Sequence, residues 1–297
     1  MRWLAVVAIV SACKFVPPSG GIDGTADDDA PGDDAKLPDA FVLGDWGTPV
    51  PVVELNSMEN DDDPTLPADM LEIYFASTRL PQSPDEDIYF ATRATVNERF
   101  GAPQLSNELS SNGFDSNVDI SADGLTIVFS SNRNGGADLY FSTRTARDAA
   151  WSVPAIVGGA NSVGGEWGGV LSADMLSIVL CSDRGGDEAI YVAKRLTTTD
   201  PFSTPVKLDG IDTAANECDA MMPTPDTIYF TRGTVATDLE LYVAQRGATG
   251  FEGVTAITSL DTTSRDGDPW VSADQRTMYF ASNRPGIGPD DIYMSTR

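Results

Sequence analysis

Short runs in which nearly every residue is apolar, β-branched or aromatic recur along the chain: EIYFAS from Glu72, TIVFSS from Thr126, SIVLCS from Ser177, TIYFT from Thr227 and TMYFAS from Thr277. A second apolar step follows each of them, as Asp87-Ile88-Tyr89, Asp138-Leu139-Tyr140, Ala189-Ile190-Tyr191, Glu240-Leu241-Tyr242 and Asp291-Ile292-Tyr293. Turn formers such as Asn134-Gly135-Gly136 and Gly185-Gly186 separate the two steps, so each reads as a strand leaving a tight connection. The runs are apolar on both faces. That suits inner strands covered by neighbours on both sides.

These runs belong to a block that occurs five times. Its first half is PADMLEIYFASTR, SADGLTIVFSSNR, SADMLSIVLCSDR, TPDTIYFTR and SADQRTMYFASNR, with anchor acids Asp69, Asp123, Asp174, Asp226 and Asp274 spaced 54, 51, 52 and 48 residues apart. The spacing is close to the roughly 40–50 residues of one four-stranded propeller blade. Each of the five blocks ends its third strand in Arg, at 93, 144, 195, 246 and 297, and the first four then open a fourth with an aromatic and often a Pro, as in Phe100-Gly101-Ala102-Pro103 and Trp151-Ser152-Val153-Pro154. Proline there fits an edge strand, where no ladder partner needs its missing N–H. The fifth block stops at Arg297 without this strand, and its counterpart, Trp46-Gly47-Thr48-Pro49 followed by VPVVELN, stands before the first block. The prediction is an all-β chain folded as a five-bladed β-propeller, closed by an N-terminal strand, residues 46–55, that completes the last blade. The repeated anchor Asp reads as a cap on the turn between first and second strands, because one residue used identically in every block is architecture rather than chemistry.

The fifth block, DGDPWVSADQRTMYFASNRPGIGPDDIY from Asp266, resembles the TolB-type, WD-like propeller repeat of bacterial envelope proteins. The resemblance covers residues 46–297 and leaves no room for the extra N-terminal domain of TolB itself. It implies the architecture firmly and the function hardly at all, since such repeats serve scaffolds, domains fused to peptidases, and lipoproteins of several kinds.

Ahead of the repeats the chain changes character. MRWLAVVAIVSAC carries one positive charge at Arg2, an apolar run from Trp3 to Val10 and then small residues, which reads as a compact export signal too short to span a bilayer. Val10-Ser11-Ala12-Cys13 resembles the lipobox of bacterial lipoproteins, which implies lipidation of Cys13 after cleavage, so residues 1–13 are assigned to the signal. Residues 14–45 hold eight Asp and two Lys among Pro, Gly and Ala, and are expected to form a disordered acidic tether. Localisation in the bacterial cell envelope follows, with the membrane reached through the lipid anchor alone.

The whole chain of 297 residues carries 19 Lys and Arg against 45 Asp and Glu, a formal charge of −26 that disfavours nucleic acid as a partner. It has no His, which removes the commonest general base and zinc ligand. Chemistry would have to rest on carboxylates, hydroxyls or Arg.

Carboxylates open every block: Asp61 and Asp63, Asp115, Glu166, Glu217 and Asp219, Asp266 and Asp268. In a propeller these positions begin the innermost strands, so they are expected to form an acidic ring at one mouth of the channel. The binding candidates are thus Asp61, Asp63, Asp115, Glu166, Asp219, Asp266 and Asp268, and the ring could take Ca²⁺, a basic peptide segment or a sugar. A competing reading has Arg79, Arg133, Arg184, Arg232 and Arg284, at the ends of the adjacent strands, neutralising these acids blade by blade. The expected function is a monomeric binding module for an envelope protein, a peptide segment or a glycan, without catalysis and without an obligatory cofactor. The alternative is a glycoside hydrolase-like enzyme using channel acids, with Trp167 and Trp270 placed to stack on a sugar. Beyond Cys13, Cys181 and Cys218 lie towards the same face of adjacent blocks and could form a disulfide in an oxidising compartment.

Overall fold

The turn formers stop each strand where the sequence pattern places them, and the result is twenty strands without a helix among the described residues. The computed structural model describes residues 43–80, 85–233 and 239–297; the expected signal, Cys13 and residues 14–42 of the expected tether lie outside these. In chain order the strands are β1 (Val50–Pro51), β2 (Asp61–Thr65), β3 (Glu72–Ser77), β4 (Asp87–Thr92), β5 (Gln104–Leu105), β6 (Asp115–Ile120), β7 (Thr126–Ser131), β8 (Asp138–Thr143), β9 (Ala155–Ile156) and β10 (Glu166–Leu171). They continue as β11 (Ser177–Ser182), β12 (Ala189–Lys194), β13 (Val206–Lys207), β14 (Asn216–Thr224), β15 (Thr227–Gly233), β16 (Glu240–Arg246), β17 (Phe251–Ala256), β18 (Asp266–Val271), β19 (Thr277–Ser282) and β20 (Asp291–Thr296).

Each blade is a four-stranded antiparallel sheet: β2 to β5, β6 to β9, β10 to β13, β14 to β17, and a fifth in the order β1-β20-β19-β18. The predicted closure is present, with Val50 paired to Met294 and Pro51 to Tyr293. Asn56 strengthens it by accepting from the Ile292 N–H and donating to the Ile292 carbonyl. Proline sets the length of the outer strands. Those entered through Pro49, Pro103, Pro154 and Pro205 pair over two residues only, whereas β17, opened by Phe251-Glu252-Gly253-Val254 without a Pro, runs over six residues, four of them paired.

The core lies between blades. Five apolar clusters each join one blade to its neighbour: Phe129 and Ile127 meet Tyr74 and Ile88 between blades one and two, and Phe230 and Ile228 meet Val179 and Ile190 between blades three and four. Each third-strand Arg lies over the aromatic that precedes or opens its outer strand, 4.1–4.5 Å from the ring centre for Arg93 on Phe100 through Arg297 on Trp46. The anchor acids cap turns as expected. Asp69, Asp123, Asp174 and Asp274 accept the backbone N–H two residues on. Blade four departs here: β14 and β15 pair to the end, Thr224 with Thr227, so a two-residue loop replaces the capped turn and Asp226 stands exposed. Cys181 of β11 and Cys218 of β14 are joined by a disulfide, with Cα atoms 5.1 Å apart, which staples blades three and four.

Candidate functional site

The acids that open the blocks separate into two sets with different surroundings. Asp61, Asp115, Glu166, Glu217 and Asp266 are at most 1% exposed. Each is paired with the Arg of its own blade: Asp61 with Arg79, Asp115 with Arg133, Glu166 with Arg184 at 3.0 Å, Glu217 with Arg232 at 2.9 Å and Asp266 with Arg284 at 2.5 Å. The same guanidinium groups donate to the carbonyls of Leu55, Leu109, Ala160, Ile211 and Leu260, closing the preceding loop onto the strand. In four blades a serine, as Ser131 under Arg133, accepts from Nε, and each of these five Arg lies over one or two aromatic rings, Phe129 and Tyr140 in the case of Arg133 and Tyr191 alone in the case of Arg184. The expectation of a single acidic ring at the mouth is therefore corrected for Asp61, Asp115, Glu166 and Asp266. They are internal ion pairs, because a carboxylate carried so deep needs a cation and hydrogen-bond donors.

Two residues further on, the pattern changes. Asp63, Asn117, Gly168, Asp219 and Asp268 occupy equivalent places in the five innermost strands, and all have left-handed backbone, with φ of 52, 47, 55, 48 and 53°. Each sits at a shift in strand register, between Asp62 and Thr65 in blade one and at the matching step in the other four. Such a bulge re-aims side chains, and Asp, Asn and Gly are the residues that tolerate its backbone at least cost. The five residues encircle the channel and separate two cavities. One, of about 40 Å³, lies towards the turns and reaches Thr65, Asp119 and Trp270. The other, of about 220 Å³, opens on the side where the innermost strands begin and is lined by Asp62, Asp63, Glu86, Trp167, Asp219, Arg265 and Asp268 among others.

Of the predicted acids, the structure thus brings Asp63, Asp219 and Asp268 together at the channel, and it adds Asp62, Glu86 and Arg265. Asp63 accepts from the Asn117 N–H at 2.6 Å and from its amide at 3.0 Å. Asp219 accepts from Thr231 Oγ1 at 2.7 Å and shares a hydrogen bond with Asp268. Arg265 lies between Asp268 at 3.8 Å and Asp290 at 3.6 Å. Asp62 is 7% exposed, and its Oδ1 has no hydrogen-bond partner.

Electrostatics follows from this crowding. Burial first, then the neighbouring charges of Glu86, Asp63 and Asp268, push the Asp62 carboxyl well above the usual carboxylate range. Asp63 and Asp268 are pushed well up for the same reasons, burial leading and a facing Asp following. Asp219 and Glu86 are raised chiefly by burial. Towards the turns, burial lifts Asp119 to about 7 against the donors Thr65 and the Leu171 N–H. Among the described residues no three His, Cys, Asp or Glu side chains converge in a metal-holding arrangement. The cluster gathers buried carboxyls, pushed towards their protonated forms, around the Arg265 guanidinium, with Trp167 as an aromatic wall. Trp270, by contrast, is 5% exposed and packs edge-on against Tyr279.

Sequence reasoning reached the acids but missed Asp62, Glu86 and Arg265, which lie at positions the repeat does not share. The position of Asp63 carried a readable signal: across the five blades it is always Asp, Asn or Gly.

No protein-family model and no curated protein matches the sequence. The fold is similar to solved structures. TolB from Acinetobacter baumannii superposes with a TM-score of 0.55 at 16% identity over 82% of this chain, which spans only 56% of that protein. Putative TolB from Agrobacterium tumefaciens gives 0.52 at 15% identity, over 79% of this chain and 76% of the other. The catalytic domain of the GH62 α-L-arabinofuranosidase of Coprinopsis cinerea gives 0.56 at 11% identity, over 85% and 96%. At such identities the likeness is one of fold.

Proposed function

We propose that the chain is a TolB-like binding module of the bacterial envelope, held there by lipid on Cys13, whose channel cavity seats the cationic end of a ligand. One observation carries the cavity reading. Asp62 presents an unpartnered buried oxygen to a 220 Å³ space shared with Asp63, Glu86 and Asp268, and among the described residues Arg265 is the one cation lining it. The space is smaller than the roughly 300–1,000 Å³ of sites for whole small molecules. It suits an ammonium or guanidinium terminus, such as a lysine or arginine side chain of a partner segment, with Trp167 supplying a cation–π face.

The raised carboxyls make a distinctive expectation. A bound cation favours their ionised forms, so binding expels protons and the affinity rises with pH across their titration. Calorimetry with 1,5-diaminopentane should show saturable binding that is about tenfold stronger near pH 8 than near pH 5. Proton release should appear as a dependence of the heat on buffer ionisation enthalpy, and Asp62→Asn should abolish most of the binding. Absence of binding at both pH values, or binding unchanged in Asp62→Asn, overturns the reading.

A second reading, glycoside hydrolysis, is favoured by the convergence of Asp63, Asp219 and Asp268 on the channel with their carboxyls raised, so that one can donate a proton while another is ionised. Turnover of 4-nitrophenyl α-L-arabinofuranoside that disappears in Asp268→Asn would replace the binding module with an enzyme.

The anchor rests on the lipobox-like step at the end of an export signal. Replacing Cys13 by Ser should move the protein from the membrane to the soluble fraction. A variant that still sediments with membranes and still incorporates palmitate would count against it.

A further inference from the structure

A third cavity, of about 530 Å³, lies between blades three and four near the Ser172–Asp174 turn. Its origin can be traced through the repeat. The Arg that ends each third strand donates from Nε to a turn carbonyl of its own blade: Met70, Gly124, Met175, Pro225 or Gln275. In three of the five blade interfaces the same Arg also meets a tyrosine hydroxyl of the preceding blade. Arg144 donates to Tyr74 at 3.2 Å and Arg297 to Tyr229 at 2.8 Å, and Arg93 is bonded to Tyr279. Those tyrosines fill the space between blades, and their buried oxygens are matched by the guanidinium.

At the other two interfaces the tyrosine is replaced by valine, Val128 or Val179. The consequences differ. Between blades two and three, Gly169 lets the strands close up: a Cβ added there would stand 3.0 Å from both Val128 Cγ1 and Leu139 Cδ1, and Val128 is 1% exposed. Between blades three and four, Ala220 takes the place of Gly169, and the chain from Asp219 to Tyr229 is one residue shorter than its counterpart from Gly168 to Val179. The shorter hairpin of blade four does not cover the vacated volume. Val179, Leu208, Met222 and Phe251 line it as apolar walls, with Lys194 and Arg246 at its edge. Arg246 retains its bond to Pro225 and its stacking on Phe251, with Asp226 only at 3.9 Å on the exposed side. An exposed pair at that distance contributes little.

We propose that this groove binds an aromatic ligand bearing an oxygen acceptor, a phenol or an aromatic carboxylate, that takes the place occupied by tyrosine in the sister interfaces. The ring replaces the missing side chain against Val179 and Met222. Its oxygen meets Arg246, and a carboxylate adds attraction to Lys194. The volume falls within the range of small-molecule sites.

The probe is 4-hydroxybenzoate, followed by the chemical shift of the Met222 methyl group in the full chain. Saturable binding is expected below about 10 mM. Arg246→Gln should weaken it about tenfold, as loss of a charge-assisted hydrogen bond requires. Val179→Tyr, which installs the tyrosine present in three other blades, should abolish binding while holding or raising the melting temperature. Asp62→Asn, in the central cavity, should leave it unchanged, which separates this site from the channel. Absence of saturation, or equal binding by the parent and by both groove variants, overturns the proposal.

Discussion

A chain that begins at Ser57 is expected to lose the cooperative fold altogether, although it retains every residue of the five repeats. The segment removed holds Trp46, Val52 and Leu55, which are 5, 9 and 0% exposed and belong to the clusters on both sides of blade five. Full burial of one such side chain contributes about 1.5–3 kcal/mol. Three of them approach the whole stability of an ordinary domain, about 5–15 kcal/mol. The deletion also strips Met294 and Tyr293 of their strand partner and Arg297 of the Trp46 ring it lies on. An open edge remains on β20, ready to pair with another chain. Thermal melting by circular dichroism measures the outcome, and a peptide covering residues 43–56 added in trans should restore part of the transition, since it brings back both the strand pairing and the Trp46, Val52 and Leu55 side chains. A shortened chain that melts cooperatively at the parent temperature would show that the ring is closed by something other than β1.

The closure was legible because it is a matter of counting: five first halves, four outer strands after them and one before. The channel was legible only in part, and the reason lies at the bulge. In a regular strand Asp61 and Asp63 share a face and Asp62 takes the opposite one. That alternation puts the two flanking acids together at a mouth. The left-handed backbone at Asp63 breaks it, so Asp61 stays with Arg79 inside the blade, while Asp62 and Asp63 both reach the cavity. Spacing alone carries no sign of this. Arg265 and Glu86 were hidden for another reason, since they come from connections that differ between blades and only the closed ring brings them within reach of Asp268 and Asp62. The groove at Val179 was in principle visible as a gap in a column of tyrosines. Its depth depended on Ala220 and on the shortened hairpin of blade four, which matter only once the blades are packed.

Replacing Arg133 by Met is expected to cost about 3–5 kcal/mol, the loss that follows when one partner of a buried ion pair is removed. Arg133 joins four groups: the Asp115 carboxylate, the Leu109 carbonyl, Ser131 Oγ, and the rings of Phe129 and Tyr140, each ring centre 5.0 Å from the guanidinium carbon. Methionine keeps much of the apolar stem and its contact with the rings. It leaves Asp115, wholly buried, with the Ser111 N–H but no compensating cation. For a domain of this size the loss lowers the melting temperature by roughly 10 °C. The charge, rather than the shape, should dominate that loss, and a second variant separates the two. Arg133→Met combined with Asp115→Asn removes both charges while keeping an acceptor for the Ser111 N–H, so it should recover more than half of the deficit. If the single variant melts within about 2 °C of the parent, or if the double variant is no better than the single, the ion pair is incidental and the loop before each blade is held by its backbone hydrogen bonds alone.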